Sequence, residues 1–233
     1  MTTRSLALAL LAALLDLTPS AAAQTTPDVR AEKQLEFSVG VVLPQVLGGE
    51  ELLRSRDLRD AGLSYHAGPD GARRDVGDYG ALTGFRLEVA YHRPLTRGLL
   101  YGVVVNSSLT GTQPSEGGYA EGYFFNTVDV GPSLKVYPLD SGAYVRGTVG
   151  MASVFTKDRF VGDSGEQEFF HQFGIGVGGQ LDVGYTLAPF ADPTIGVEVR
   201  AGYRLSTARV EVNGLGDDAW RYGSLHADVG IVF

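Results

Sequence analysis

The chain contains no cysteine among its 233 residues. This absence excludes a disulfide framework, thiol ligands for a metal and a lipoprotein anchor attached through cysteine. An excess of positive charge is also missing, because 19 Lys and Arg stand against 27 Asp and Glu and give a formal net charge of -8. Nucleic-acid-binding surfaces are basic, so this balance argues against nucleic acid as a partner.

Long apolar runs are scarce as well. The one clear run, residues 6–15, follows Arg4 and precedes the small residues Ala21 and Ala23. This order is typical of a secretory signal peptide cleaved after Ala23, and the run is too short to span a bilayer as a helix. The sequence therefore predicts a signal peptide over 1–23 and a short periplasmic segment over 24–34. Because no later run has the length of a membrane-spanning helix, the mature chain can cross a membrane only as a closed barrel.

Alternation of apolar and polar residues is what the sequence has in place of long apolar runs. In residues 224–233 every second side chain is apolar, and the positions between them are polar or glycine. Neighbouring side chains of a strand point to opposite faces, so this period of two predicts a strand with one apolar face. Seven further segments show the same alternation: 35–43, 83–92, 99–109, 123–137, 143–154, 172–186 and 195–205.

The charges in these eight segments all share the face opposite the apolar residues. They are Glu36, Arg86, Glu88, Asp129, Lys135, Arg146, Asp182, Glu198, Arg200, Arg204 and Asp228. A lipid-facing Arg or Lys at the middle of a bilayer costs about 2–4 kcal/mol, so a transmembrane barrel would require this segregation. We therefore expect the eleven residues to form a charge network inside the lumen, where opposite charges can pair.

The connections between the segments alternate in length. The links after the second, fourth and sixth segments are short (93–98, 137–142 and 187–194), whereas the others are long (44–82, 110–122, 156–170 and 206–223). This is the pattern of a barrel with both termini in the periplasm, short periplasmic turns and long extracellular loops. Aromatic residues near the segment ends suit the two interfacial girdles of such a barrel, and they are Tyr91, Tyr101, Tyr137, Tyr144, Phe155, Phe170, Tyr185, Trp220 and Tyr222.

Three segments carry a family resemblance: VDVGPSLKVYPL, AYVRGTVGMA and FGIGVGGQLDVGYTL. They resemble consecutive strands of the small bacterial outer-membrane barrels, namely the transmembrane domain of OmpA, OmpX and the PorT-like barrels. The resemblance implies an eight-stranded antiparallel up-and-down transmembrane barrel over 35–233, located in the cell outer membrane. It implies contact with outer-membrane lipid and lipopolysaccharide, and biogenesis through periplasmic chaperones and the barrel assembly machinery. Val229, Ile231 and Phe233 correspond to the insertion signal of that group.

These motifs indicate the fold of the protein more specifically than its biochemical function. An eight-stranded barrel is filled by its own side chains, so a large pore is not expected, and a structural or surface-interaction role without enzymatic activity is the favoured hypothesis. Neither a cofactor nor a metal site is indicated, and the oligomeric state is left open.

Two other functions stay open. His226 and Asp228 share the inward face with Ser38 on the first segment, so a lipid-modifying enzyme could use His226 as a base and a serine as the nucleophile. The competing interpretation, a paired lumen network, is favoured. The many inward glycines allow a third function, the binding or passage of a small apolar ligand.

The first long link holds five arginines: Arg54, Arg56, Arg59, Arg73 and Arg74. They could bind the phosphates of lipopolysaccharide, although a solvated loop is the simpler explanation.

Overall fold

The computed structural model describes residues 33–48, 84–112, 122–139, 141–161, 167–187, 195–212 and 216–233. In these ranges the chain forms eight strands. Their bounds are β1 Gln34–Gly48, β2 Gly84–Thr96, β3 Leu99–Thr112, β4 Gly122–Val136, β5 Ala143–Val161, β6 Gln167–Leu187, β7 Gly196–Val212 and β8 Gly216–Val232. The barrel thus begins one residue before the predicted boundary. No helix in the part of the chain that the structure describes is long and apolar enough to cross a membrane.

The strands close into a single antiparallel barrel in chain order, with β1 paired to both β2 and β8. Two further backbone hydrogen bonds extend the ladder between β1 and β8 to the last residue, from Leu35 N–H to the Phe233 carbonyl at 3.0 Å and from Phe233 N–H to the Leu35 carbonyl at 2.9 Å. A closed barrel has no unpaired strand edge, which is the condition for crossing hydrocarbon with strands. The predicted eight-stranded up-and-down barrel is confirmed.

The first residue of β1 and the last residue of β8 lie at the same end of the barrel as the tight turn between β2 and β3, and we call this the turn end. The connection from β2 to β3 is a two-residue turn of Arg97 and Gly98, shorter than predicted because β2 continues through Thr96. Gly98 has a φ of 82°, a left-handed conformation that glycine adopts without a side-chain clash. Its carbonyl accepts a hydrogen bond from Tyr137 N–H at 2.8 Å, which ties this turn to the end of β4.

At the opposite end, the loop end, the strands are longer than the alternation predicted. They run to 21 residues in β6, whereas a tilted strand needs about 9–11 residues to cross a bilayer. Because β5 to β8 continue so far, most of the predicted links 156–170 and 206–223 is strand. The five arginines of the first long link lie outside the described residues.

Apolar side chains cover the outside of the barrel. On β2 the exposure alternates strictly, with Phe85, Leu87, Val89 and Tyr91 outward and Arg86, Glu88, Ala90 and His92 buried. The outward apolar residues are highly exposed, among them Val149 at 63% and Val177 at 66%. A continuous exposed apolar surface of this kind is stable only against hydrocarbon, so the barrel is a transmembrane one.

Candidate functional site in the barrel lumen

The eleven predicted lumen charges all point inward. Ten of them are buried, and the eleventh, the Asp129 side chain, is 13% exposed. The strand period of two explains this placement, since each charge shares its face with the other inward residues of its strand. Five of the eleven are cations and six are anions, so the enclosed charges nearly balance.

The centre of the network is built around Glu36 on β1. Lys135 Nζ donates to its Oε1 at 2.8 Å, and His92 Nδ1 lies 2.9 Å from the same oxygen. Arg146 Nη1 approaches Oε2 at 3.4 Å. These contacts join β1, β2, β4 and β5 across the lumen, so one carboxylate links strands that are distant in the barrel.

Glu88 on β2 bridges two guanidinium groups. Its Oε1 lies 2.7 Å from Arg146 Nη1 and 2.7 Å from Arg200 Nη2. Arg200 in turn donates from Nε to Asp228 Oδ2 at 2.9 Å, and Arg86 forms an ion pair with the other oxygen of Glu88. A buried ion offsets its desolvation only when partners surround it, and each of these side chains has more than one.

A second, smaller cluster lies on the loop-end side of this centre. Arg204 Nη1 lies 2.8 Å from Asp129 Oδ2 and donates to Thr127 Oγ1 at 2.6 Å, while its guanidinium carbon lies 5.2 Å from the centre of the Tyr222 ring. A cavity of about 10 Å³, the size of one water molecule, adjoins Asp129, Arg204 and Asn106. The lumen here is filled with side chains.

Aromatic rings close the turn end. Lys135 Nζ lies 4.2 Å from the ring centre of Tyr144 and 5.5 Å from that of Tyr137, and the two rings are 5.6 Å apart. The Tyr144 hydroxyl donates to Glu198 at 3.0 Å, and Leu100 packs against both rings. The cation, the rings and the carboxylate together form a plug that sequence reasoning missed.

The prediction of an interfacial girdle is therefore wrong for four of the aromatic residues. Tyr137, Tyr144, Trp220 and Tyr222 point into the lumen, with exposures of 6%, 2%, 1% and 2%. Each shares its strand face with a charged or polar residue of the lumen, and this parity was the sequence signal that could have found them. Tyr91, Tyr101 and Phe155 do face outward, whereas the side chain of Phe170 lies outside the described residues.

The candidate catalytic residues each bond to other members of the lumen network. His226 Nε2 lies 2.8 Å from Asp182 Oδ1, and Asp228 accepts from Arg200. Ser38 accepts a hydrogen bond from Arg200 through its hydroxyl oxygen. A nucleophilic serine would need its hydrogen bond to a base, whereas these contacts are those of a paired network. In the described strands, no three His, Asp or Glu side chains are grouped as metal ligands.

The predicted insertion signal lies on the outer face of β8 and just beyond its end. Val229, Ile231 and Phe233 are 54%, 45% and 50% exposed. The Phe233 ring meets the Phe37 ring edge to face, with centres 6.3 Å apart. These residues therefore face lipid and also lie next to the seam between the first and last strands.

No family model matches the chain, and no curated protein matches it. Solved structures do. Ail, the attachment invasion locus protein of Yersinia pestis, is 16% identical, and the match covers 87% of this chain and 99% of Ail with a TM-score of 0.47. Ail has also been solved with the heparin analogue sucrose octasulfate, and that structure gives the same identity and coverage with a TM-score of 0.46. Neisserial surface protein A is 15% identical, with 85% of this chain and 95% of that protein covered and a TM-score of 0.41.

Eight antiparallel strands close in chain order, the outer face is apolar, and the lumen holds the charges. The fold is thus an eight-stranded antiparallel up-and-down transmembrane barrel, as the sequence motifs predicted.

Proposed function

We propose that this protein is an integral outer-membrane barrel with a structural or surface-interaction role, and that it neither forms a large pore nor catalyses a reaction. The loop end faces the cell exterior and the turn end faces the periplasm. Export through the signal peptide and insertion by the barrel assembly machinery belong to the same proposal.

The observation that carries this proposal is the filled lumen. An ion passing along the barrel axis would meet the buried pairs of Glu36, Glu88 and Asp182, then the ring plug of Tyr137 and Tyr144 at the turn end. Opening such a path would separate several buried ion pairs at once, and breaking even one costs about 3–5 kcal/mol. The geometry therefore favours a closed barrel.

Conductance across a planar lipid bilayer tests the closed lumen. The purified protein should give no steady single-channel currents. A general porin, added to the same membranes as the positive control, should give them. The protein is added at a concentration low enough for barrels to insert one at a time. Steady currents proportional to voltage under these conditions would contradict the proposal.

Surface contact is supported by charges beyond the apolar belt. Arg209 on β7 and Arg221 on β8 are both outward and exposed near the loop end. Guanidinium groups bind phosphate in bidentate fashion, so they suit the phosphates of lipopolysaccharide. The five arginines of the first long link would add to this contact.

Binding of purified lipopolysaccharide tests this contact. An Arg209→Ala and Arg221→Ala double variant should bind it several-fold more weakly than the natural protein. Arg93→Ala removes an exposed outward arginine near the turn end and is the matched control. Equal binding by all three proteins would remove the two arginines from the proposal.

The enzyme hypothesis has its own discriminating experiment. Cells that produce the His226→Gln variant should have the same lipid A species by mass spectrometry as cells that produce the natural protein. His92→Gln, which changes the other histidine of the network, controls for damage to the fold. A lipid A product that is lost only with His226→Gln would show catalysis.

A further inference from the structure

A groove crosses the outer face of the barrel from β3 to β7, at the level of the apolar belt. Its volume is about 840 Å³. The outward residues that line it are Tyr101, Pro132, Leu134, Gly147, Val149, Gly179, Leu181, Tyr203 and Leu205. None of them is charged, so the groove is a lipid-facing feature. Four residues of the inward face complete its lining: Gly102, Ser133, Thr148 and Gln180.

Two missing side chains create the groove. The strand registers place one cross-strand row as Tyr101, Leu134, Gly147, Leu181 and Tyr203. In the next row Gly179 lies between Val149 and Leu205. Each row therefore has one glycine where its neighbours carry large side chains. Because these glycines lie on adjacent strands, β5 and β6, the two gaps join into one depression.

Packing inside the protein does not require either glycine. A Cβ built on Gly147 would meet no atom within 4 Å, and one on Gly179 would meet only the Thr148 carbonyl oxygen at 3.7 Å. The inward glycines differ, since a Cβ on Gly176 would lie 1.8 Å from the Thr207 carbonyl oxygen and one on Gly102 would lie 1.9 Å from that of Tyr91. Glycine weakens a strand, so Gly147 and Gly179 cost stability without an internal reason.

The surroundings of the groove indicate its occupant. Tyr101 and Tyr203 stand at the two ends of the first row, 46% and 38% exposed, and Leu181 between them is 59% exposed. Along β7, four residues beyond Leu205 towards the loop end, lies the exposed Arg209, about 13 Å away at the rise of a strand. An apolar depression below an exposed cation matches a lipid with a phosphorylated headgroup and a chain that reaches towards the bilayer centre.

We infer that this groove binds one acyl chain of lipopolysaccharide, with a phosphate of the lipid at Arg209. The inference rests on the proposed outer-membrane location, because the loop end then faces the leaflet that holds lipopolysaccharide. Binding in a shaped groove keeps this lipid longer than the surrounding bilayer lipids, because the chain contacts walls on both sides.

The test fills the groove. A double variant, Gly147→Leu and Gly179→Leu, adds side chains where the structure has room for them. Ala227→Leu, an outward substitution on β8 that is not part of the groove lining, is the matched control. Each protein is folded in vesicles, extracted into detergent with purified hexa-acylated lipid A, and weighed by native mass spectrometry. The natural protein and Ala227→Leu should retain one lipid A, and the double variant should retain at least tenfold less.

Three outcomes would overturn the inference. The first is equal retention of lipid A by the double variant. The second is equally strong retention of phosphatidylglycerol by the natural protein, which would show a general affinity for acyl chains. The third is a dimer of the natural protein that the double variant abolishes, because the groove would then hold a second copy of the chain.

Failure of the proposed location looks different from failure of the groove. If the protein does not insert into membranes, the natural protein and every variant fail to fold in vesicles. If only the groove assignment is wrong, all of them insert and retain lipid A alike. An SDS gel of unheated samples separates the two cases, because a folded barrel resists SDS and migrates as a separate band. Each variant is measured in this way.

Discussion

Arg146 and Asp182 face each other across β5 and β6 and share two hydrogen bonds: Nε and Nη2 of the arginine donate to the same carboxylate oxygen at 2.8 and 2.7 Å. Both side chains have no exposed surface. The pair is the junction of the lumen network, because Arg146 also contacts Glu88 and Asp182 also contacts His226.

Removing the arginine should therefore be costly. Arg146→Met leaves Asp182 without its main partner in a buried site, and we expect the free energy of unfolding to fall by about 3–5 kcal/mol. Equilibrium unfolding in urea from lipid vesicles measures this loss. Arg209→Met, which changes an exposed arginine, should stay within about 0.5 kcal/mol of the natural protein. If both variants lost the same small amount, the network would not hold the barrel together.

A charge placed on the outer face should be penalised according to depth. Val39 is outward at the middle of β1, and Val39→Arg should lower the free energy of unfolding by about 2–4 kcal/mol. Leu47→Arg, on the same strand near the loop end, should cost about 0–1 kcal/mol because its charge reaches water. The same urea titration gives both values, and equal costs would argue against a bilayer around Val39.

The terminal phenylalanine should act in insertion more than in stability. Phe233→Ala and Phe37→Ala both remove the same ring contact, so a double-mutant cycle of the two should show a coupling of about 0.5–1.5 kcal/mol in folding stability. Only Phe233→Ala should slow insertion into vesicles that contain the barrel assembly machinery. Equal insertion rates for the two variants would remove Phe233 from the signal.

The hydroxyl group of Tyr144, in the plug at the turn end, should contribute to the stability of the barrel. Tyr144→Phe keeps the ring beside Lys135 but removes the hydrogen bond to Glu198, a bond to a charged group that is worth about 1.5–3 kcal/mol. Tyr101→Phe changes an outward tyrosine and should have little effect. Thermal unfolding, followed by the loss of the fast-migrating folded band on a gel, compares the two, and identical midpoints would contradict the role of the hydroxyl.

The barrel with apolar residues outside and charges inside could be predicted from the sequence, because the alternation of apolar and polar residues is a local property. Each charge on the eight strands identified the inward face of its strand, and Glu36, Asp182 and Arg200 all lie where this rule placed them. Pairing partners could not be predicted, because Glu36 and Lys135 are 99 residues apart and meet only when the barrel closes.

The two ends of the lumen were harder to predict for a physical reason. Towards the loop end the inward face becomes apolar, with Val42, Val154, Val210 and Trp220 buried there, so hydrophobicity no longer distinguishes inside from outside. The lengths of β5 to β8 were underestimated because the alternation is lost at the loop end. Beyond the bilayer either face of a strand can be polar. Counting every second residue from a known lumen charge would have placed Trp220 and Tyr144 correctly.

Fluorescence of a single tryptophan at Leu87 tests the central claim, an apolar outer face in contact with lipid, most directly. Leu87 is outward and 49% exposed, and Trp220 is the natural tryptophan, so the variant combines Leu87→Trp with Trp220→Phe. After reconstitution, lipids with brominated acyl chains should quench the emission strongly, and iodide in the water should not. Strong quenching by iodide with none by the brominated chains would show that this face meets water and would contradict the account.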